Sequence, residues 1–235
     1  GTAAAVAVSV LIVGTEPVFP IGRVDSGPVW MLGPYALLGL LLGVMGVAYN
    51  RLVIALLDVF AAVTRLPAEV KAAVIGALVG LLGVLAPSLV GGGEALNEEI
   101  LIGALPIGSL VVILVVRWLL GPVSYSAGTP GGLFAPLLVV GAAAGALLTE
   151  VVNAALPVAD LSPVAFAVVG MSTFFAAVVR APFTGVVLIV EMTATTSLVV
   201  PMLLAAACAV LAATLLKGQP IYETLRLRLN QAPQA

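Results

Sequence analysis

Residues 124–136 read Ser124-Tyr-Ser-Ala-Gly-Thr-Pro-Gly-Gly-Leu-Phe-Ala-Pro136, and a long apolar run follows them directly. Gly128, Gly131 and Gly132 allow the backbone to take a positive φ or to approach a neighbour closely. The run that follows, residues 133–148, has the length and the small-residue content of a packed membrane helix. This stretch predicts an all-α membrane protein in which a glycine-rich break precedes a long apolar helix.

The composition supports a membrane location. Of the 235 residues, 62% are apolar and 9% are charged, and the mean hydropathy is +1.27. Soluble domains carry roughly 25% charged residues, so lipid must cover much of this surface. The net charge of −2 gives no indication of a nucleic-acid partner.

The side chains that most enzymes use are scarce. The sequence has no histidine, which removes the usual zinc ligand and the usual general base. Its one cysteine, Cys208, lies in an apolar run and is typical of a small packed hydrophobe. We therefore expect neither an enzyme, nor a metal site, nor a cofactor.

The apolar segments predict a polytopic protein with broken and tilted helices in one transmembrane domain, residues 1–235. They cover residues 29–48 with a continuation to 63, 72–90, 101–120, 133–156, 163–179, 183–190 and 198–216. Residues 183–190 and the N-terminal run 2–13 are too short to span a bilayer, which needs about 20 residues. Such interrupted segments are typical of transporters that aim helix ends at ions. Ordinary glycine and proline enrichment in membrane helices gives the same pattern.

Charged residues suggest an orientation. Basic residues surround the loop within residues 51–71 and mark the C-terminal region. The positive-inside rule places both regions on the cytoplasmic side. The residues concerned are Arg51, Arg65, Lys71, Lys217, Arg226 and Arg228. The segment 91–99 holds Glu94, Glu98 and Glu99, and we expect it to be a loop on the opposite side.

The glycine-rich break at 128–132 is a candidate anion site. The first N–H groups of the following helix have no partners within it, and the helix dipole adds positive potential there. Such an end attracts an anion without a full positive charge. A glycine hinge between two packed helices would produce the same sequence pattern.

Two further interruptions contain polar residues. Pro182, within Arg180-Ala-Pro-Phe-Thr-Gly185, predicts the end or a kink of a helix. Arg180 and Glu191 are ionisable residues in an apolar context, and they are either functional or structural, as an ion pair or as an arginine that snorkels to the interface. Pro220 suits the first turn of a new helix, which places Tyr222 near that helix's start, as an anion ligand or as an interfacial anchor.

Taken in order, these motifs resemble the C-terminal half of the membrane domain of the CLC family of chloride channels and proton-coupled chloride exchangers. The resemblance extends from about residue 29 to residue 228 and is densest after Gly128. Its matching elements are Gly131-Gly-Leu-Phe-Ala-Pro136, Gly170-Met171, Arg180-Ala-Pro-Phe-Thr-Gly185, Glu191-Met-Thr193, Pro201-Met202 and Gln219-Pro-Ile-Tyr222.

The resemblance implies specific site residues. The amides of Leu133 and Phe134 and the hydroxyl of Tyr222 would hold a central chloride, and Gly132 would add an amide toward an outer site. Selectivity would come from backbone dipoles and this hydroxyl rather than from cationic side chains.

The resemblance also implies the assembly. The chain would be one of two inverted halves of a homodimeric transporter in a plasma or bacterial inner membrane, with chloride as the transported ion. The family's G-S-G-I-P and G-x-E-G-P motifs, which belong to the other half, do not occur in this sequence. We therefore expect the N-terminal half to be absent from this chain. The alternative is a non-conducting half-transporter that serves as a membrane assembly module.

Overall fold

The computed structural model describes residues 2–14, 16–22, 24–63, 66–103, 105–128 and 132–231. Within these residues the regular structure is helical, as predicted, and comprises ten α-helices joined by loops and short 3-10 turns. The α-helices are α1 (Thr2–Val13), α2 (Leu32–Ala62), α3 (Ala68–Leu85), α4 (Glu94–Ile102), α5 (Ile107–Tyr125), α6 (Phe134–Ala155), α7 (Pro163–Val179), α8 (Pro182–Thr193), α9 (Val199–Leu215) and α10 (Ile221–Gln231).

Four helices are long and apolar enough to cross a membrane, namely α3, α5, α6 and the helix formed by α2 with its preceding turn. Helices α7, α8 and α9 are apolar but have at most 17 residues each. A span needs about 20 residues, with a range of roughly 17–25, so α7 and α9 with 17 residues reach its lower end and α8 with 12 residues is too short. The predicted mixture of full and broken helices is confirmed.

The core is formed by α7, which α6, α2 and α9 surround. Residues 165–178 of α7 are all buried. Small residues bring the backbones together: a Cβ added at Gly141 of α6 would collide with the Gly170 carbonyl of α7. Gly39 of α2 meets Ala205 of α9 in the same way. This is the small-residue packing that membrane helices use in place of a hydrophobic driving force.

The chain breaks between α7 and α8 where the sequence predicts it. Arg180 ends α7 in the left-handed region, with φ at 66°. Pro182 then begins α8, because proline lacks the N–H that a continuing helix would need and restricts the residue before it. Likewise, Pro220 directly precedes α10, so Tyr222 lies in the first turn of that helix as predicted.

Two sequence expectations were wrong. The apolar segment 101–120 is not one helix: α4 ends at Ile102, and α5 begins at Ile107. Gly103 has a φ of 77°, which terminates α4, and Pro106 supplies the extended residue before α5. The acidic loop expected at 91–99 is a loop only as far as Gly93, because α4 begins at Glu94.

Candidate functional site

The N-terminus of α6 is an uncapped helix end. Leu133 occupies the cap position without a side-chain cap, and its carbonyl accepts a hydrogen bond from Leu137 N–H at 3.1 Å. Among the described residues, nothing accepts a hydrogen bond from the N–H groups of Leu133, Phe134 or Ala135. Pro136 has no N–H. Within the part of the chain that the structure describes, the helix therefore begins with N–H donors that have no acceptor, at the positive end of its dipole.

Helix α7 has a side-chain cap at this end, whereas α2, α3, α4, α5, α8 and α9 lack one, as α6 does. In α7, the Ser162 hydroxyl caps the first turn by accepting a hydrogen bond from Ala165 N–H at 3.3 Å. Such a cap contributes typically about 1 kcal/mol. The missing cap at Leu133 therefore leaves positive potential that a bound anion could satisfy.

A cavity of about 270 Å³ opens at this helix end. Gly132, Leu133 and Pro136 form one side of it, and the C-terminal half of α5 forms another. The remaining lining residues are Val79, Gly91, Arg117, Leu120, Gly121, Ser124 and Tyr125. The structure thus places predicted residues Gly132 and Leu133 at one cavity, while Gly131 lies outside the described residues.

Neither Phe134 nor Tyr222 lines this cavity. The Phe134 ring packs edge-on against Phe175, with centroids 5.5 Å apart. Tyr222 is about half exposed, at 45%. Burial raises the pKa of the Tyr222 phenol, and the nearby phenol of Tyr125, a cavity-lining residue, raises it further.

The start of α10 is held in place by polar contacts from distant helices. Asn50 of α2 donates hydrogen bonds to the Val178 carbonyl at 3.0 Å and to the Gln219 carbonyl at 2.9 Å. Arg180 donates to the Gly218 carbonyl at 2.9 Å and to the Thr214 hydroxyl at 2.6 Å. These bonds position the turn that carries Tyr222.

Arg180 and Glu191 do not form a pair. The Arg180 guanidinium donates its hydrogen bonds to Thr214 and Gly218, before α10. Glu191 is exposed. The sequence left two interpretations of Arg180 open, a functional and a structural one, and these contacts agree with the structural one. The partners of Arg180 are a carbonyl and a hydroxyl, however, and not the Glu191 carboxylate.

One residue of the cavity was missed by the sequence reasoning. Arg117 lies within the apolar helix α5, is 3% exposed, and lines the cavity. The signal was present, since a lone arginine inside an apolar span is a functional candidate by default. The cavity therefore contains a cationic side chain where only backbone dipoles and a hydroxyl were expected.

The donors around the cavity suit an anion. Among the described residues, no acidic side chain lines it, and no cluster of three or more His, Cys, Asp or Glu side chains that could hold a metal occurs in that part of the chain. Free amide groups, hydroxyls and a guanidinium can all donate to an anion.

Comparison with known proteins identifies the family of this chain. The sequence profile of the family described as voltage gated chloride channel matches residues 1–214. The chain is 36% identical over 215 residues to the H(+)/Cl(-) exchange transporter ClcA of Vibrio parahaemolyticus, covering 90% of this chain and 46% of that protein. It is 36% identical over 220 residues to ClcA of Cronobacter sakazakii, and this match covers 92% of this chain and 47% of that protein.

Solved structures share the fold. A slow cyanobacterial Cl−/H+ antiporter matches with a TM-score of 0.88 at 28% identity, over 98% of this chain and 54% of that one. A CLC-type fluoride/proton antiporter matches in fold alone, with a TM-score of 0.72 at 15% identity, over 92% and 52%. The chain spans about half the length of the curated relatives it matches. The apolar helices and these matches together show that the chain is an integral membrane protein of the CLC, or voltage-gated chloride channel, family.

Proposed function

We propose that this chain supplies half of a transmembrane chloride pathway, in a CLC-type channel or proton-coupled exchanger. The observation that carries the proposal is the uncapped N-terminus of α6 at the cavity lined by Gly132 and Leu133. A helix end with free N–H groups is an anion site in its own right.

Neutral donors suit transport, because the ion must bind and also leave. The amides of Leu133 and Phe134 and the hydroxyl of Tyr222 would hold the central chloride, and the amide of Gly132 would face an outer site. No cofactor is needed, since transport requires only that these donors replace part of the ion's hydration shell.

These relatives are named as H(+)/Cl(-) exchange transporters. Because the chain covers 46% of the first of them, we propose that the other half of the pathway comes from an N-terminal half outside this sequence. We also propose that the complete transporter is a homodimer in a plasma or bacterial inner membrane.

Chloride binding to the purified chain tests the site assignment. In detergent, titration calorimetry with chloride against an isethionate background should show saturable binding. Tyr222→Phe should weaken that binding by about tenfold, since one hydrogen bond to a charged group contributes roughly 1.5–3 kcal/mol and water replaces part of it. Tyr35→Phe is the matched control, because Tyr35 stacks on Phe166 in the core, with centroids 4.3 Å apart.

Equal affinities for the wild-type chain and Tyr222→Phe would remove Tyr222 from the site. An absence of chloride binding in the wild-type chain would overturn the proposal as a whole.

A second candidate is a non-conducting assembly module, which the partial coverage of the relatives fits only weakly. Measuring chloride efflux from chloride-loaded vesicles distinguishes the transporter from the assembly module. Efflux that depends on the chain, alone or together with an added N-terminal half, supports the transporter. Chloride binding without efflux in both preparations supports the module.

A further inference from the structure

A second cavity, of about 340 Å³, lies between α2 and the segment that joins α9 to α10. One wall consists of α2 within residues 47–58, and the other wall lies within residues 217–224. None of the described residues lines both this cavity and the one at the start of α6, and Tyr222 lines neither of them. The second cavity is therefore separate from the candidate anion site.

Two basic side chains line this cavity. They are Arg51 of α2 and Lys217, which follows α9, and both are exposed. The carboxylate among the described lining residues, Asp58, forms an ion pair with Arg228 of α10. The other ion pair in the described part of the chain lies within α10. Arg51 and Lys217 have no carboxylate partner there, so the cavity has an excess of positive charge.

A backbone contact brings the two cations to the same part of the cavity. The guanidinium of Arg51 donates to the carbonyl of Leu216, the residue next to Lys217, at 3.2 Å. This bond uses one terminal nitrogen of Arg51, whereas a guanidinium has five N–H donors. Because Arg51 is exposed, it retains donors that a ligand can reach.

The length of α2 places the cavity at a membrane interface. At 1.5 Å per residue, Arg51 lies roughly 28 Å along α2 from Leu32, its first residue, and the hydrocarbon core of a bilayer is about 30 Å thick. Leu37, Leu41 and Val44 are exposed. Their spacing of three, four and seven residues puts them on the same helix face as Arg51. An exposed apolar stripe thus leads to a cation at the level of the lipid headgroups.

We propose that this cavity binds the headgroup of an anionic phospholipid. Arg51 and Lys217 donate charge-assisted hydrogen bonds to its phosphate, and an acyl chain covers the apolar stripe of α2. Basic pockets between membrane helices on the cytoplasmic side bind such headgroups. The bound lipid joins α2 to the segment before α10 and stabilises the folded chain. The inference goes beyond the proposed function and does not depend on it.

Thermal unfolding of the purified chain in an uncharged detergent tests the site. With chloride held constant, the midpoint should rise with added phosphatidylglycerol, because a bound ligand stabilises the folded state. Phosphatidylcholine with the same acyl chains is the lipid control, and its zwitterionic headgroup should produce a much smaller rise. Equal rises with both lipids overturn the inference. Chloride binding is not the readout, so that result leaves the proposed function standing.

Two variants locate the bound lipid. Arg51→Gln and Lys217→Asn should each need about fivefold more phosphatidylglycerol for a half-maximal rise, since each basic residue near an anionic lipid strengthens the attraction by about that factor. Asparagine is chosen because Lys217 has a φ of 53°, a left-handed conformation that asparagine tolerates.

Arg226→Gln is the matched control for these variants. It makes the same change of charge, but Arg226 pairs with Glu223 and does not line the cavity. We expect the phosphatidylglycerol dependence of this control to stay close to that of the wild-type chain. An equal shift in all three variants, or no shift in the two cavity variants, overturns the inference.

The competing explanation is that Arg51 only satisfies the Leu216 carbonyl at the end of α9. A lower midpoint of Arg51→Gln without lipid, together with an unchanged phosphatidylglycerol dependence in both cavity variants, overturns the inference in favour of that explanation. If Arg51→Gln does not fold, Lys217→Asn decides, because it leaves the bond from Arg51 to Leu216 in place.

Two further measurements identify the occupant. Glycerol phosphate, the water-soluble counterpart of the headgroup, should raise the midpoint little at matched concentration, since it has no acyl chain to cover the stripe. A rise equal to that with phosphatidylglycerol means a site for free phosphate and overturns the lipid assignment. An added N-terminal half should leave the phosphatidylglycerol dependence of the wild-type chain intact. Its loss means that the added half covers the cavity, which also overturns the inference.

Discussion

The guanidinium of Arg180 donates a hydrogen bond to the Gly218 carbonyl at 2.9 Å, across 38 residues of sequence. Arg180 closes α7, and Gly218 lies in the turn that leads to α10. The bond therefore joins the end of the most buried helix to the start of the helix that carries Tyr222. The geometry of the candidate anion site depends on this turn.

Arg180→Met should destabilise the chain. The Gly218 carbonyl and the Thr214 hydroxyl would lose a charged donor, and a lost hydrogen bond to a charged group costs about 1.5–3 kcal/mol. Thermal unfolding in detergent should show a lower midpoint. Arg226→Met is the control, because Arg226 makes an exposed i,i+3 ion pair with Glu223, a type of pair that contributes less than about 1 kcal/mol. Equal midpoints for both variants would contradict a structural role for Arg180.

Asn50→Leu should act on the same turn from the side of α2. The substitution removes the donor to the Val178 and Gln219 carbonyls, and leaving buried acceptors unsatisfied costs about 1–3 kcal/mol. Since Asn50 and Arg180 hold neighbouring residues of one turn, the double variant should lose less stability than the sum of the single variants. Strict additivity in thermal unfolding would show that the two anchors are independent.

Gly141→Ala should destabilise the packing of α6 on α7. The added Cβ would collide with the Gly170 carbonyl, and overpacking of this kind costs typically about 1–3 kcal/mol. Gly76→Ala is the matched control, because nothing lies within 4 Å of a Cβ added at Gly76 of α3. There the better helix propensity of alanine should leave stability unchanged or slightly higher. The comparison is made by thermal unfolding, and equal losses at both positions would contradict the close approach.

Chloride binding through Tyr222 should not weaken as the pH rises from about 6 to 9. Burial and the Tyr125 phenol raise the pKa of Tyr222 above its ordinary value near 10. A raised pKa means that the neutral form, which can donate, is favoured in the folded chain below that ordinary value. The advantage is lost only as the pH passes the raised pKa. Calorimetric titrations at several pH values check this, and a Tyr222-dependent loss of affinity below pH 9 would contradict it.

The membrane class and the breaks between helices were readable from the sequence, because both depend on local chemistry. A chain that is 62% apolar has no other way to cover its surface than with lipid. Pro182 and Pro220 act on their own backbone and the residue before them, so the helix boundaries at α8 and α10 follow without any knowledge of packing. The split near Gly103 was missed because the residues on both sides of it are apolar.

The tertiary structure alone decided which distant groups share the site. Asn50 meets Gln219 across 169 residues, and Arg117 meets Gly91 across 26. Such meetings depend on how whole helices pack, and small-residue contacts such as that of Gly141 with Gly170 determine this packing. The sequence by itself therefore determined the helix end at the start of α6, whereas helix packing decided that a buried arginine, Arg117, lines the same cavity as that helix end.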